Sequence, residues 1–143
     1  AILDYLSAVH AKAESEITWD CSDIPDIVPY MAMVAPFSFE KTIFTGIGRL
    51  RIKESDRVKG IREQLKAFGI ETEETEDTLT IYAYKKQDAK QHPVKISSYH
   101  DHRMAMSAIL LALILRAEID IDDTDCLRKS FPGLIDYFKC AVL

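Results

Sequence analysis

The hydrophobic pattern over residues 17–84 switches several times between two periods. Period two is typical of half-buried strands, and a period near 3.6 is typical of amphipathic helices. The strand-like runs fall at 17–21, 41–47, 70–74 and 78–84. The helix-like runs fall at 24–35 and 58–68. The pattern therefore predicts the order strand, helix, strand, helix, strand, strand.

The ends of the two helices carry their own signals. For the first helix, residue 22 or 23 can cap the N-terminus and Pro25 fits the first turn. For the second, the cap falls at residue 55 or 56, and Gly69 suits the left-handed position that ends many helices. The sequence thus predicts where each helix starts and where the second one stops.

The same alternation begins again after a polar connection over residues 85–92. Runs at 94–99 and 118–122 predict strands, the apolar run at 104–115 predicts a buried helix, and residues beyond 132 predict a final helix. A further helical pattern covers residues 2–13. We expect one domain over 1–143, with an N-terminal helix at 2–13 and two packed repeat units, 17–84 and 94–143. The predicted fold class is α/β, or α+β.

Composition limits the classes of partner. The 143 residues carry a net charge of −5, with 48% hydrophobic and 29% charged residues, as in ordinary globular domains. An acidic chain is a poor ligand for nucleic acid or an anionic membrane, and the run at 104–115 is shorter than the roughly 20 residues that span a bilayer. The three cysteines are odd in number and widely spaced, which favours free thiols in a reducing, cytoplasmic compartment over a disulfide framework.

Charged residues gather at the starts of the predicted helices. The densest stretch, 49–57, holds four cations and two carboxylates, and a second cluster covers 100–103. Because a helix N-terminus is electropositive, cations there are unfavourable unless an anion binds among them. A solvated, salt-bridged face is the competing interpretation of 49–57, and Arg103 could instead be a structural partner of Asp101. A metal site over 100–102 is disfavoured because adjacent residues point in different directions, and we expect neither metal nor cofactor.

Four short motifs now resemble one family. Residues 51–57 read Arg-Ile-Lys-Glu-Ser-Asp-Arg and resemble the R-x-K-E-[ST]-D-R signature of the 5-enolpyruvylshikimate-3-phosphate (EPSP) synthase family. Residues 101–106 resemble that family's D-H-R-x-A-M motif. Residues 25–26 resemble its P-D segment, and residues 129–132 its K-[ST]-F-P. The motifs occur in the family's order over nearly the whole chain.

The resemblance implies an inside-out barrel fold made of βαβαββ units, of which this chain would hold about two from the C-terminal domain. It implies transfer of the enolpyruvyl group from phosphoenolpyruvate to the 5-hydroxyl of shikimate 3-phosphate, with release of phosphate. The partners would be these two small molecules and the missing N-terminal domain of the same enzyme, with no nucleic acid or membrane. We expect the isolated chain to lack transferase activity.

The resemblance also assigns roles to residues. Asp26 would bind the 5-hydroxyl of shikimate 3-phosphate and accept its proton, and Glu54 would donate a proton to the methylene carbon of phosphoenolpyruvate. Lys53 would lie beside shikimate 3-phosphate. The remaining residues would bind phosphoenolpyruvate or line its site: Arg57, Arg103, Lys129 and His102. An addition across an enol double bond needs an acid and a base, and forked guanidinium groups match phosphate and carboxylate.

Three alternatives stay open on the sequence. UDP-N-acetylglucosamine enolpyruvyl transferases share the implied fold. A non-catalytic repeat domain could bind an anionic partner through the same helix starts. A structural domain with solvated charges would bind nothing there. Arg49 departs from the resemblance, because some family members have Asn at that position.

Overall fold

The computed structural model describes residues 15–86, 92–128, 130, 132 and 133. Its strands are β1 (Glu16–Asp20), β2 (Lys41–Thr45), β3 (Thr72–Glu74), β4 (Thr78–Tyr82), β5 (Val94–Ile96) and β6 (Ile119–Ile121). Its α-helices are α1 (Val28–Val34), α2 (Arg57–Ala67), α3 (His102–Leu115) and α4 (Asp125–Arg128). Short 3-10 helices cover Ala35–Phe37 and Gly48–Ile52. The first unit therefore has the predicted βαβαββ order, and the α/β class is confirmed.

Four strands form one mixed sheet in the order β1-β2-β4-β3. β1 pairs with β2 in parallel, so α1 serves as the crossover between them. β4 then pairs antiparallel with β2 and β3, which lets a tight turn at residues 75–77 join β3 to β4. In the second unit β5 and β6 pair in parallel across α3. Both units thus begin with a parallel strand–helix–strand arrangement.

The core lies between the sheet and the first three helices. The sheet contributes Phe44, Leu79 and Ile81, which share one face because side chains alternate along a strand. The helices contribute residues that are almost fully buried: Val28, Met31, Val58, Ile61, Leu65, Met104, Ala108 and Leu111. The predicted stripe on α2 is confirmed, since Val58, Ile61, Leu65 and Phe68 are all buried. This core fixes the starts of α2 and α3 beside each other.

Polar groups also join α2 to α3 inside the core. The side chain of Gln64 is buried and donates to the backbone carbonyls of Met104, at 2.9 Å, and Ser97, at 3.3 Å. The hydroxyl of Ser107 donates to Gln64 Oε1 at 3.1 Å. Gly60 allows the close approach, because a Cβ there would lie 2.9 Å from Met104 Cε. A buried amide with its partners satisfied fixes the register of the two helices.

The start of α1 differs from the prediction. The helix begins at Val28 with Ile27 as its cap residue, and no side chain caps it. Residues 21–27 instead form two successive turns, in which Ile24 N donates to Cys21 O and Ile27 N to Ile24 O. Pro29, and not Pro25, lies in the first helical turn. The error has a physical reason: either proline fits a helix start, and the sequence does not say which one does.

The predicted cap and end of α2 agree with the structure. Asp56 caps α2 by accepting from Lys59 N at 3.0 Å, and Gly69 follows the helix with φ +75°. The helix predicted at 104–115 begins two residues earlier, at His102. One side of α3 is not fully buried, and Ile114 is exposed. The helices predicted at 2–13 and beyond residue 132 lie outside the described residues.

Across the described ranges, no helix is both long enough and apolar enough to cross a membrane.

Candidate active site

Arg57 is the centre of a charged cluster at the starts of α2 and α3. It is the first residue of α2, and its side chain is only 1% exposed. Its guanidinium donates to three carboxylates: Nε to Asp101 Oδ2 at 2.8 Å, Nη1 to Asp26 Oδ1 at 3.1 Å, and Nη2 to Glu54 Oε2 at 2.6 Å. The three acids come from different parts of the chain. A buried guanidinium with such partners is a strongly constrained group.

Asp101 is the buried partner of Arg57. Its carboxylate is the N-cap of α3, accepting from Arg103 N at 3.0 Å, and it also accepts from Ser55 Oγ at 3.0 Å. Burial alone would raise the pKa of Asp101, but the hydrogen bonds from Arg57, Arg103 N and Ser55 outweigh it and lower that pKa. Burial opposes the charge of Arg57 in the same way, and its acidic partners nevertheless raise the pKa of Arg57. Both groups are therefore ionised, and each stabilises the charge of the other.

Asp26 lies at the open side of the cluster, with its side chain 49% exposed. It comes from the turns that precede α1. Besides Arg57, it accepts from Arg103 Nη2 at 3.3 Å, and Lys53 Nζ lies 3.9 Å from its Oδ1. The backbone carbonyl of Asp26 also accepts from Arg103 Nη1 at 3.3 Å. Two arginines and a lysine thus surround one accessible carboxylate.

Glu54 lies on the other side of the same guanidinium. Its side chain is 60% exposed, and it precedes the cap residue of α2 by two positions. Asp26 and Glu54, distant in sequence, therefore reach one cation from two directions. The structure brings five predicted residues together at this point: Asp26, Lys53, Glu54, Arg57 and Arg103.

For two predicted site residues, the described part of the chain shows no contact with the cluster. His102 is the first residue of α3 and is half-buried, and no side-chain hydrogen bond within the described residues joins it to the cluster. Lys129 lies outside the described residues. Arg49 points elsewhere: its Nη1 donates to the carbonyl of Ser22 at 3.4 Å. Sequence reasoning missed Ser55 as a partner of Asp101, although its place inside the 51–57 motif was a signal.

The backbone before Asp101 has an unusual conformation. Tyr99 and His100 both have positive φ, 55° and 54°, which is uncommon for residues other than glycine. Asp122 holds this segment, accepting from Ser97 Oγ at 2.7 Å and from Ser98 N at 2.8 Å. Although burial opposes it, these hydrogen bonds lower the pKa of Asp122 to about 2. The bonds from Asp122 thus support the turn that carries Asp101.

A separate groove of about 750 Å³ lies on another side of α2. Its lining includes Arg51, Asp56, Lys59, Arg62 and Glu74, and none of the five clustered residues. Cations and acids alternate there and pair with each other, as in Arg51–Glu74 at 2.9 Å. At the Arg57 cluster, by contrast, a buried guanidinium and accessible carboxylates converge. Within the described part of the chain, no group of three or more His, Cys, Asp or Glu residues could hold a metal ion.

The fold and the cluster together define an α/β protein in which carboxylates and cations from separate parts of the chain converge on one buried guanidinium. The sequence model of the EPSP synthase (3-phosphoshikimate 1-carboxyvinyltransferase) family matches residues 4–138. The chain belongs to this family.

Individual relatives agree. The chain is 37% identical over 116 residues to the 3-phosphoshikimate 1-carboxyvinyltransferase of Clostridium tetani, covering 81% of the chain and 26% of the relative. It is 41% identical over 118 residues to that of Caldicellulosiruptor bescii, covering 80% and 27%. It is 36% identical over 120 residues to a pentafunctional AROM polypeptide of Yarrowia lipolytica, covering 84% and 8%.

Among solved structures, the EPSP synthase of Acinetobacter baumannii superposes with a TM-score of 0.65 at 32% identity, covering 80% of this chain and 26% of that one. The chain therefore spans roughly a quarter of the length of the single-function enzymes it matches.

Proposed function

We propose that this chain forms one wall of the active site of an EPSP synthase. In that role it takes part in transfer of the enolpyruvyl group from phosphoenolpyruvate to the 5-hydroxyl of shikimate 3-phosphate, with release of phosphate. The chain would be the last two repeat units of the C-terminal domain of the inside-out barrel. The N-terminal domain would close over it and supply the rest of the shikimate 3-phosphate pocket. A cytoplasmic location fits the free thiol of buried Cys21.

The cations provide the binding part of the proposal. Arg57, Arg103 and Lys129 bind the phosphate and carboxylate of phosphoenolpyruvate, and His102 lines the same site. Lys53 and Asp26 bind shikimate 3-phosphate. Arg57 already donates to the carboxylates of Asp26 and Glu54, at 3.1 and 2.6 Å. An anionic substrate therefore takes over donors that these accessible carboxylates occupy, while Asp101 keeps the guanidinium in place.

The carboxylates provide the chemistry. The 5-hydroxyl oxygen attacks C2 of phosphoenolpyruvate, its proton passes to Asp26, and Glu54 gives a proton to the methylene carbon. The carbon–oxygen bond to phosphate then breaks, Glu54 takes a proton back from the new methyl group to restore the double bond, and the proton on Asp26 leaves with the phosphate. A positioned acid and a positioned base limit the charge that builds up on the reacting atoms.

One observation carries this proposal. Two accessible carboxylates that are 28 positions apart, at 26 and 54, bind the same buried guanidinium. A structural ion pair needs one such acid, and Asp101 already supplies it at 2.8 Å. Two further carboxylates, together with Arg103 and Lys53, match an acid–base pair held beside an anion site. No comparable observation favours a UDP-sugar substrate or a non-catalytic anion-binding domain.

A hybrid enzyme tests the proposal. The matched segment of the Clostridium tetani relative is replaced by this chain, and release of phosphate from phosphoenolpyruvate is measured with and without shikimate 3-phosphate. We expect turnover that depends on shikimate 3-phosphate and that UDP-N-acetylglucosamine does not replace. The 143-residue chain alone should release no phosphate at an enzymatic rate. A folded hybrid without turnover, or turnover by the chain alone, would contradict the proposal.

A further inference from the structure

Arg51 begins the 51–57 motif, yet it faces away from the Arg57 cluster. It lies in the 3-10 helix Gly48–Ile52, and its side chain is 26% exposed. Its guanidinium reaches the turn between β3 and β4, where Nη2 donates to Thr75 O at 2.7 Å and Nε donates to Glu76 O at 3.1 Å. Nη2 also donates to Glu74 Oε2 at 2.9 Å. One side chain therefore binds three consecutive residues, the last of β3 and the first two of the turn.

The same turn holds the 3-10 helix at a second point. The carboxylate of Asp77 accepts from Gly48 N at 2.7 Å, and its backbone carbonyl accepts from Ile47 N at 3.3 Å. Space is tight here, because a Cβ on Gly48 would lie 3.1 Å from Asp77 Oδ1. The turn at 75–77 thus acts as a support for the start and the end of this short helix.

The residues beyond Arg51 have little packing of their own. Ile52 is 83% exposed, although it is a large hydrophobic residue, and Lys53 leaves the helix with an extended backbone. The next fixed points are Ser55, whose Oγ donates to Asp101 Oδ2 at 3.0 Å, and Asp56, which caps α2. Lys53 and Glu54 lie between Arg51 and these residues. Apart from their own ion pairs with Asp26 and Arg57, their positions depend on these polar anchors.

We propose that Arg51 is a positioning residue for the reaction, acting through Lys53 and Glu54. By joining the loop to the β3–β4 turn, it fixes where the Lys53 ammonium and the Glu54 carboxylate lie relative to Arg57. This inference rests on the proposed function, since it gives those two residues their roles. The guanidinium is required because its planar fork serves several acceptors at once, whereas a lysine ammonium cannot reproduce that geometry.

The experiment compares Arg51→Lys with the matched control Arg62→Lys in the hybrid enzyme. Arg62 pairs with the same Glu74 carboxylate and lines the same groove, but it belongs to α2 and has no recorded bond to the loop. We expect Arg51→Lys to lower kcat about 10- to 100-fold, because a small displacement of a catalytic group costs that much, with less than a threefold change in KM for phosphoenolpyruvate. Arg62→Lys should change both constants less than threefold.

Amide hydrogen exchange on the 143-residue chain gives a second readout that needs no activity. Arg51→Lys should accelerate exchange at residues 48–56 at least tenfold and leave α3 unchanged, and Arg62→Lys should not. An active hybrid in which Arg51→Lys keeps its kcat within twofold would overturn the inference while leaving the proposed function standing. If the parent hybrid is inactive, that result counts against the proposed function. The exchange experiment then decides on Arg51 alone: if Arg51→Lys leaves amide exchange at residues 48–56 unchanged, the positioning role is refuted as well.

Discussion

The carboxylate of Asp101 binds Arg57 Nε at 2.8 Å and at the same time caps helix α3 through Arg103 N. One acidic residue thereby joins the first residue of α2 to the first turn of α3. Because both side chains are at most 1% exposed, their charges depend on each other for stabilisation.

The first prediction concerns that pair. Asp101→Asn keeps an acceptor for the cap but removes the charge opposite Arg57. Breaking a buried pair from one side leaves the other charge uncompensated, so we expect a loss of about 3 kcal/mol in the free energy of unfolding. Urea denaturation of the chain measures it.

The matched control for Asp101→Asn is Asp56→Asn. Asp56 also caps a helix, by accepting from Lys59 N, but its side chain is 38% exposed. Asparagine is nearly as good a cap as aspartate, so this variant should lose no more than about 0.5 kcal/mol. Equal losses in the two variants would mean that Asp101 acts only as a cap and that its pairing with Arg57 adds nothing.

The second prediction concerns acid stability. The folded pKa of Asp122 is lowered to about 2, and that of Asp101 also lies below its ordinary value of 3.8. A lowered folded pKa means that the stabilisation is complete above the unfolded pKa and is lost as the pH falls toward the folded one. We therefore expect the free energy of unfolding to be steady near pH 6 and to decline between about pH 4 and pH 2.

Asp122→Asn separates the two groups. Asp122 is exposed, so solvent screening reduces its contribution, and its removal should flatten the acid decline by roughly 1 kcal/mol. Asp120→Asn, which removes an exposed carboxylate from the neighbouring strand β6, is the matched control for the loss of one surface charge. Thermal unfolding at a series of pH values gives the comparison. An Asp122→Asn profile that still follows the parent would show that its bonds to Ser97 and Ser98 do not stabilise the fold.

Local patterns predicted the elements well because local forces determine them. The spacing of Val58, Ile61 and Leu65 predicted one buried helix face, and Gly69 predicted the end of that helix. The resemblance carried by residues 51–57 and 101–106 pointed to the cluster around Arg57. These predictions needed only a residue and its near neighbours, or a family motif.

Other features depended on contacts between distant parts of the chain. The bonds from Arg51 to the turn at 75–77 cross more than 20 positions, and no periodicity signals them. The same holds for Asp101, whose pairing with Arg57 spans 44 positions. The predicted start of α1 was wrong for a different reason: Pro25 and Pro29 each fit the first turn of a helix, and the sequence does not distinguish them. The roles of Asp26 and Glu54 stay predictions.

The third prediction concerns Gly46, which directly follows β2 and has φ +69°. A Cβ there would overlap Ser22 Oγ and lie 3.0 Å from Ser22 N, in the segment that leads to Asp26. Gly46→Ala should therefore cost roughly 2 to 3 kcal/mol, from backbone strain together with displacement of that segment. Gly69→Ala has a similar positive φ and serves as the control, with about 1 kcal/mol expected from strain alone. Similar losses in urea denaturation would argue against a close contact at Ser22.

The last prediction separates catalysis from binding at the two accessible carboxylates. In the hybrid enzyme, Asp26→Asn and Glu54→Gln preserve shape but remove the ability to accept or donate the proton. Loss of a general acid or base should lower kcat by about 10²- to 10⁴-fold. Phosphoenolpyruvate should still bind at least as well as to the parent, because each variant frees a donor of Arg57 that a carboxylate had occupied. Calorimetry measures the Kd for phosphoenolpyruvate, and phosphate release measures kcat. Glu16→Gln removes a surface carboxylate that pairs with Lys41 in the sheet, and it serves as the control for loss of a charge.

Parallel loss of binding and turnover in both variants would indicate that these acids shape the anion site and do not transfer protons. Unchanged turnover would exclude them from the chemistry altogether.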